Sequence, residues 1–281
     1  MRGMKAARWI VLLGVLVGIA AGQQPTVNQN GTVNASNYGT PNPPGSLVVV
    51  FGTNLAANLQ VASSTPLSMQ LQDSSDTVAV TVNNKPAPIY YVAQNQLSVQ
   101  LPWGLTTPDS GSVNVPIVVT RNGKSSSPQS IPVGRFSPGI FTVSQNGLGM
   151  ALAFNGVTGT IAQPTGTVPG RTAAPAKAGD HLFVYATGLG PITPALADGA
   201  ASCPLSGCPA NVKLSQTDTK PVVTVGGVQA AIEFSGLSPQ FVGVYQVNFV
   251  VPSGVPANGA VPLQIQIGGI TTTNKVTIAV Q

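Results

Sequence analysis

Apolar residues fall at every second position through Val261-Pro-Leu-Gln-Ile-Gln-Ile267, with Gln264 and Gln266 on the opposite parity. Tyr245, Val247, Phe249 and Val251 alternate with Gln246, Asn248 and Val250, and Val276, Ile278 and Val280 close the chain in the same way. A period of two over such lengths predicts strands with one face in a core and the other in solvent. Helical patterns are almost missing after residue 22, because proline interrupts nearly every stretch that could hold a few turns. The chain therefore reads as all-β.

The pattern also repeats. Gly45-Ser-Leu-Val-Val-Val-Phe-Gly-Thr-Asn-Leu55 returns as Gly179-Asp-His-Leu-Phe-Val-Tyr-Ala-Thr-Gly-Leu189. Val80-Thr-Val-Asn-Asn84 returns as Val223-Thr-Val-Gly-Gly227, and Gln96-Leu-Ser-Val-Gln-Leu-Pro102 as Gln246-Val-Asn-Phe-Val-Val-Pro252. Val115-Pro-Ile-Val-Val119 returns as Val261-Pro-Leu-Gln-Ile265. Four blocks recurring in one order predict two copies of a single all-β unit.

Asn83-Asn84 and Gly226-Gly227 fall at equivalent points between strand runs, and Asn122-Gly123 and Gly268-Gly269 repeat this near the end of each copy. These pairs tolerate the positive φ that two-residue hairpin turns require. Short strands joined by such turns predict a sandwich of two packed antiparallel sheets in each copy. The copies meet near Arg135-Phe-Ser-Pro-Gly139, which divides the chain into residues 23–135 and 136–281. The Pro/Ala/Thr/Gly-rich passage from Gln163 to Ala178 reads as an ordered surface loop of the second unit, with a flexible linker as the alternative.

Residues 1–22 read as a secretory signal. Arg2, Lys5 and Arg8 precede the apolar run Trp9 to Ala20, and Ala20-Ala-Gly22 offers a cleavage site before Gln23. The apolar run is shorter than the ~20 residues a membrane span needs, and no later segment is long and apolar enough to cross a bilayer. The formal charge of +5 includes the three leader cations; without them 9 Lys+Arg stand against 7 Asp+Glu, leaving +2. The remaining cations are scattered singly, so the clustered charge that displaces counterions from phosphates is missing and nucleic acid is excluded as a partner. Charged residues are 7% of the chain and hydrophobic ones 43%. Solvation must then rest on Ser, Thr, Asn and Gln, giving a neutral, hydrogen-bonding surface.

Pro44-Gly-Ser-Leu-Val-Val-Val-Phe-Gly-Thr-Asn-Leu55 resembles the opening of an IPT/TIG domain, which is an immunoglobulin-like sandwich. A longer series is more specific: Val33-Asn-Ala-Ser36, the Gly45 block, Val80 to Asn84, Pro88-Ile-Tyr-Tyr91, Gln96 to Trp103, Pro138-Gly-Ile-Phe141, Ala186-Thr-Gly-Leu-Gly-Pro191 and Gly243-Val-Tyr-Gln-Val-Asn248. Together these resemble the uncharacterised C-terminal domain family named after Solibacter, found on secreted acidobacterial proteins. The resemblance implies export and two tandem immunoglobulin-like β-sandwich domains after the signal peptide. It brings no catalytic residue and no activity.

Candidate chemistry is sparse. Cys203-Pro-Leu-Ser-Gly-Cys208 holds the only two cysteines, and in an exported protein a pair in one short loop predicts a disulfide. Two thiolates leave a zinc site short of ligands, and no motif calls for a cofactor. A Ser-His-Asp hydrolase would have to use His181, the sole imidazole, but its neighbour Asp180 points to the other face of a strand and no Gly-x-Ser-x-Gly elbow exists. His181 therefore reads as a solvent-facing strand residue. Asp73-Ser-Ser-Asp76 lacks EF-hand spacing and reads as a solvated loop, and Asp198-Gly199 as a plain turn.

Aromatic residues are the remaining hint, because sugars are commonly held by rings stacked on their faces. Tyr90 and Tyr91 are adjacent in a strand, so one of them should face outward, and Trp103 follows a strand-ending proline where packing in a core or between domains is the expected role. The leading expectation is an exported, non-catalytic protein, free or held in the cell envelope, that touches an extracellular polysaccharide or an envelope protein through strand edges, an inter-domain groove or loops. A carbohydrate-binding module using Trp103, Tyr90 or Tyr91 is the alternative. A hydrolase of unrecognised type, needing two carboxylates across a cleft, is the second.

Overall fold

The computed structural model describes residues 24–203, 207–209 and 211–281; the leader expected over residues 1–22 lies outside them. Among the described residues the regular structure is strand throughout, with no α-helix. Two tandem immunoglobulin-like β-sandwiches result.

The first sandwich packs a five-stranded sheet on a six-stranded one. Across the five-stranded sheet the order is Thr26–Asn34, Leu47–Thr53, Gln96–Gln100, Ile89–Val92 and Gln60–Val61. The other sheet is centred on Ser112–Arg121, paired with Thr77–Val82 on one side and Gln129–Gly134 on the other. Alternation decides which residues go inside. Val48, Val50, Leu97 and Val99 meet Val78, Val80, Val82, Ile117 and Val119 in one buried cluster. Each such side chain, fully buried, contributes about 1.5–3 kcal/mol from area removed from water.

In the second sandwich the two layers are continuous. The strand Val228–Leu237 pairs with Val222–Val225 through its first residues and with Tyr245–Val250 through the rest, so one 12-stranded sheet wraps both layers. Its interior is a separate cluster running from Phe136 to Val280, with Tyr245 and Phe249 its largest fully buried side chains. The repeated blocks occupy repeated places. Val50 opposes Leu97 as Val184 opposes Val247, and Val80 opposes Val119 as Val223 opposes Ile265. All four predicted hairpin pairs turn with positive φ, from 48° at Asn122 to 84° at Gly227.

The passage from Gln163 to Ala178 is ordered. Val168 and Ala173 bury with Ile161 in a small satellite cluster, Ala176 bridges to Val280, and Gln163 donates to Ala151 O and Thr277 O. Cys203 and Cys208 form the expected disulfide.

Two loops depart from expectation. Asp76 is not solvated: its carboxylate is fully buried, bonded to Arg121 Nε at 2.7 Å, and accepts from Ala57 N and Asn122 Nδ2. Asp73 caps the turn in front of it, accepting from the amides of Ser75 and Asp76, and these bonds lower its carboxyl below the usual range. Sequence spacing could not show this, because Arg121 lies across the sheet from the loop. Asp198-Gly199 is likewise more than a turn, as the joint between the units shows.

Candidate functional site

The sandwiches are pinned together by buried polar groups. Asn34 uses its side-chain oxygen to order Ser36 and its Nδ2 to reach Ser137 O at 3.0 Å. Leu47 N donates to Thr187 Oγ1, which itself donates to Gly243 O at 2.9 Å. From the second unit a loop reaches back onto the first. Asp198 Oδ1 accepts Trp103 N, Gly199 N donates to Gln100 Oε1, and Gly199 O accepts Leu67 N. Buried hydrogen bonds of this kind are costly to break singly, so the joint is held in one geometry. The segments that carried the resemblance, around Asn34, Gly45, Ser137, Thr187 and Gly243, converge here.

Beside the joint lies a cleft of about 670 Å³, walled by both units. The first unit's wall is the outer face of its five-stranded sheet, where Val49, Ser98 and Tyr91 form one row across three strands. The second unit's wall is the outer face of His181–Thr187 and its neighbours, carrying Phe154, Tyr185 and Phe241. Here the rings form one cluster: Phe154 and Phe183 stack at 5.2 Å, and Tyr185 sets its edge to Phe154, Phe183 and Phe241 at 5.7–5.8 Å. Offset and edge contacts of this kind fix ring orientation.

Tyr90 and Tyr91 both line this cleft, which corrects the expectation that only one would face outward. A register shift between Ile89 and Tyr91 inserts an extra residue into the strand and breaks its alternation. Both rings are half-buried. Gln96 Nε2 donates to the Tyr91 hydroxyl, leaving the phenol's own proton free to point outward. Burial raises the Tyr91 phenol above its ordinary value, Gln96 opposing, and burial raises Tyr185 with Ser238 opposing. Both stay neutral donors through the physiological range.

At the rim, Tyr38 stacks on Phe51 and donates across the gap to Gln145 O at 2.8 Å. Tyr38 and Gln145 both hold positive φ, 58° and 55°, a conformation bulky residues rarely adopt. Such backbone strain gathers where structure serves binding. Among the described lining residues Arg171 carries the one formal charge, and none is a carboxylate.

Trp103 is elsewhere. Its ring packs between Gly45 and the second unit's interior, and it lines a separate cavity of about 100 Å³ with Pro44, Leu105, Thr107, Arg135 and Pro191. His181 is exposed, as expected, but it is not alone: its Nδ1 lies 2.7 Å from Glu233 Oε1, reached across the intervening strand Tyr245–Val250. That pair joins the chain's sole histidine to its sole glutamate across 52 positions, and adjacency in sequence gave no sign of it. The cleft itself was also hidden, because its two walls belong to different units.

Residues 33–132 match the IPT/TIG domain, so one such domain is present in the first unit. No curated protein matches the sequence. Among solved structures, the surface glycan-binding protein PbSGBP-B from Prevotella bryantii aligns at 12% identity over 89% of this chain and 41% of its own, with a TM-score of 0.25. SGBP-B of the Bacteroides ovatus mixed-linkage glucan utilization locus, solved with a mixed-linkage heptasaccharide, aligns at 14% identity over 85% and 43%, with a TM-score of 0.32. Domains 5–6 of the S-layer protein SbsC align at 12% over 90% and 99%, with a TM-score of 0.27. The chain spans less than half the length of the two glycan-binding chains.

Proposed function

We propose that this is an exported, non-catalytic protein that works by surface contact, holding an extracellular polymer or an envelope protein in the cleft between its two units. One observation carries the reading: two sandwiches locked by a buried polar joint leave between them a preformed groove of about 670 Å³, ring-lined and nearly free of charge. Preformed concavities with a few placed polar groups are where ligands bind. Acid–base chemistry would need titratable groups in the groove, and its described lining offers Arg171 and neutral phenols. The hydrolase alternative has no carboxylate there to build on.

Export is supported by the leader pattern and by the Cys203–Cys208 disulfide, a bond that persists in oxidising compartments. The units run from 23 to 135 and from 136 to 281 in this proposal, each with its own apolar interior. The joint-forming segments also support placing the chain in the Solibacter-type family. Among the described residues no helix is long and apolar enough to cross a membrane.

The test is affinity capture from the producing cell's envelope and culture medium, with the mature protein as bait. In parallel, Phe241→Arg places a charge on the exposed ring at the groove. Retention by wild type and loss by Phe241→Arg is the expected result. Equal retention by both would remove the groove from the proposal.

A further inference from the structure

Resting on that reading of the cleft, we infer that its occupant is an uncharged glycan chain rather than a polypeptide. The walls decide between the two. A peptide is most readily held by adding a strand to a sheet edge, where backbone N–H and C=O groups are free. This cleft offers no such edge on its principal walls. Leu47–Thr53 is paired on both sides, by Thr26–Asn34 and by Gln96–Gln100. His181–Thr187 is paired by Tyr245–Val250 on one side and by Gly139–Ile140 and Ala153–Asn155 on the other. Their backbone groups are consumed in ladders, so on these two walls the cleft meets its guest with side chains.

Those side chains suit a sugar. Tyr90 and Tyr91 face the groove from one unit, Tyr185 and Phe241 from the other. A pyranose has two faces of C–H bonds, which pack on ring faces, and an equator of hydroxyls, which need neutral donors and acceptors. Gln96 and the Tyr91 phenol supply the latter as an ordered pair, and Gln145 adds a further amide at the rim. Half-buried tyrosines lose little conformational freedom on binding, since they rotate about only two side-chain bonds and packing already restricts these. With Arg171 as the one formal charge, the groove gains little from a polyanion or a polycation. A neutral, ring-and-hydroxyl polymer matches each of these terms.

Native gel electrophoresis through soluble polysaccharide tests this. The gels contain mixed-linkage glucan, xyloglucan, galactomannan or arabinoxylan, with polygalacturonate as the charged control. Retardation by at least one neutral polymer and none by polygalacturonate is expected. Tyr90→Ala, Tyr91→Ala and Phe241→Ala should each weaken that affinity about tenfold or more, while Tyr91→Phe retains most of it. Melting curves separate lost binding from lost fold, and a tyrosine difference spectrum on adding polymer to wild type gives a readout independent of the variants. Retardation by no neutral polymer overturns the inference, as does retardation that survives all three alanine variants. If envelope protein is captured and Phe241→Arg releases it while no glycan binds, the glycan inference falls and the cleft reading stands. If nothing at all is captured through the cleft, both fall.

Discussion

Asn54 and Gly188 hold the same place in their units, one residue past the strand that opens each repeat, and both turn with positive φ, 54° and 81°. The first unit can use asparagine there. The second cannot, because a Cβ at Gly188 would stand 2.0 Å from Ser137 O in the joint. The same contrast recurs elsewhere. Asp76 and Arg121 form an ion pair at one corner of the first sandwich, and the equivalent positions in the second are Thr219 and the buried Ile267. Asn95 is exposed in the first unit, while its equivalent Tyr245 is fully buried with its hydroxyl on Gly190 O. One strand plan thus accepts different solutions wherever the neighbour beyond the sheet differs.

The corner pair is the place to break that comparison hardest. Asp76→Ala should cost about 3–5 kcal/mol in denaturant unfolding, because it strands the Arg121 guanidinium and the Ala57 amide. Installing the second unit's solution, Asp76→Thr with Arg121→Ile, should recover most of the loss, since apolar replacements of buried pairs are often close to neutral. A double variant no better than Asp76→Ala would show that the two corners are not interchangeable.

At the joint, Gly188→Asn should cost about 2–4 kcal/mol from overpacking and backbone strain, although asparagine serves at Asn54. Asn54→Gly should change stability by less than about 1 kcal/mol. Equal effects at the two positions, measured by chemical denaturation, would mean that the joint imposes nothing on the turn.

Tyr245 gives a smaller effect than the joint glycine at neutral pH and the most specific signature. Tyr245→Phe leaves Gly190 O without its donor and should cost about 1–3 kcal/mol. Burial, with the Asp218 charge adding to it, pushes this phenol far above its ordinary value. A raised folded value means that its contribution is complete below about pH 10, where the unfolded phenol ionises, and is lost as pH rises beyond. Above that point wild-type stability should fall more steeply than that of Tyr245→Phe, by about 1.4 kcal/mol per pH unit. Parallel slopes would place the Tyr245 hydroxyl in water.

The strand plan was legible because burial enforces it locally. A one-residue slip in Val261–Ile267 would put Gln264 and Gln266 into the core, so alternation and register are tied together. Turn pairs at Asn83, Gly226, Asn122 and Gly268 were legible for a similar reason, since few residues tolerate those dihedrals. The aromatic candidates were only half legible. Tyr90 and Tyr91 were visible as rings in a strand, but the register shift that turns both toward one cleft depends on the partner strand. Asp76 and Asp198 read as loop residues because their partners, Arg121 and Trp103, stand 45 and 95 positions away.

By itself the amino-acid order determined the all-β character, the duplication, the hairpins and the cysteine bridge. Each of these rests on interactions among residues a few positions apart, or on a face that must be buried whatever lies opposite. Tertiary structure alone decided how the outer face of one sheet meets that of the other. A surface-facing side chain owes nothing to its own strand's core, so Leu47, Val49, Tyr185 and Phe241 become a groove only when two folded bodies are set side by side.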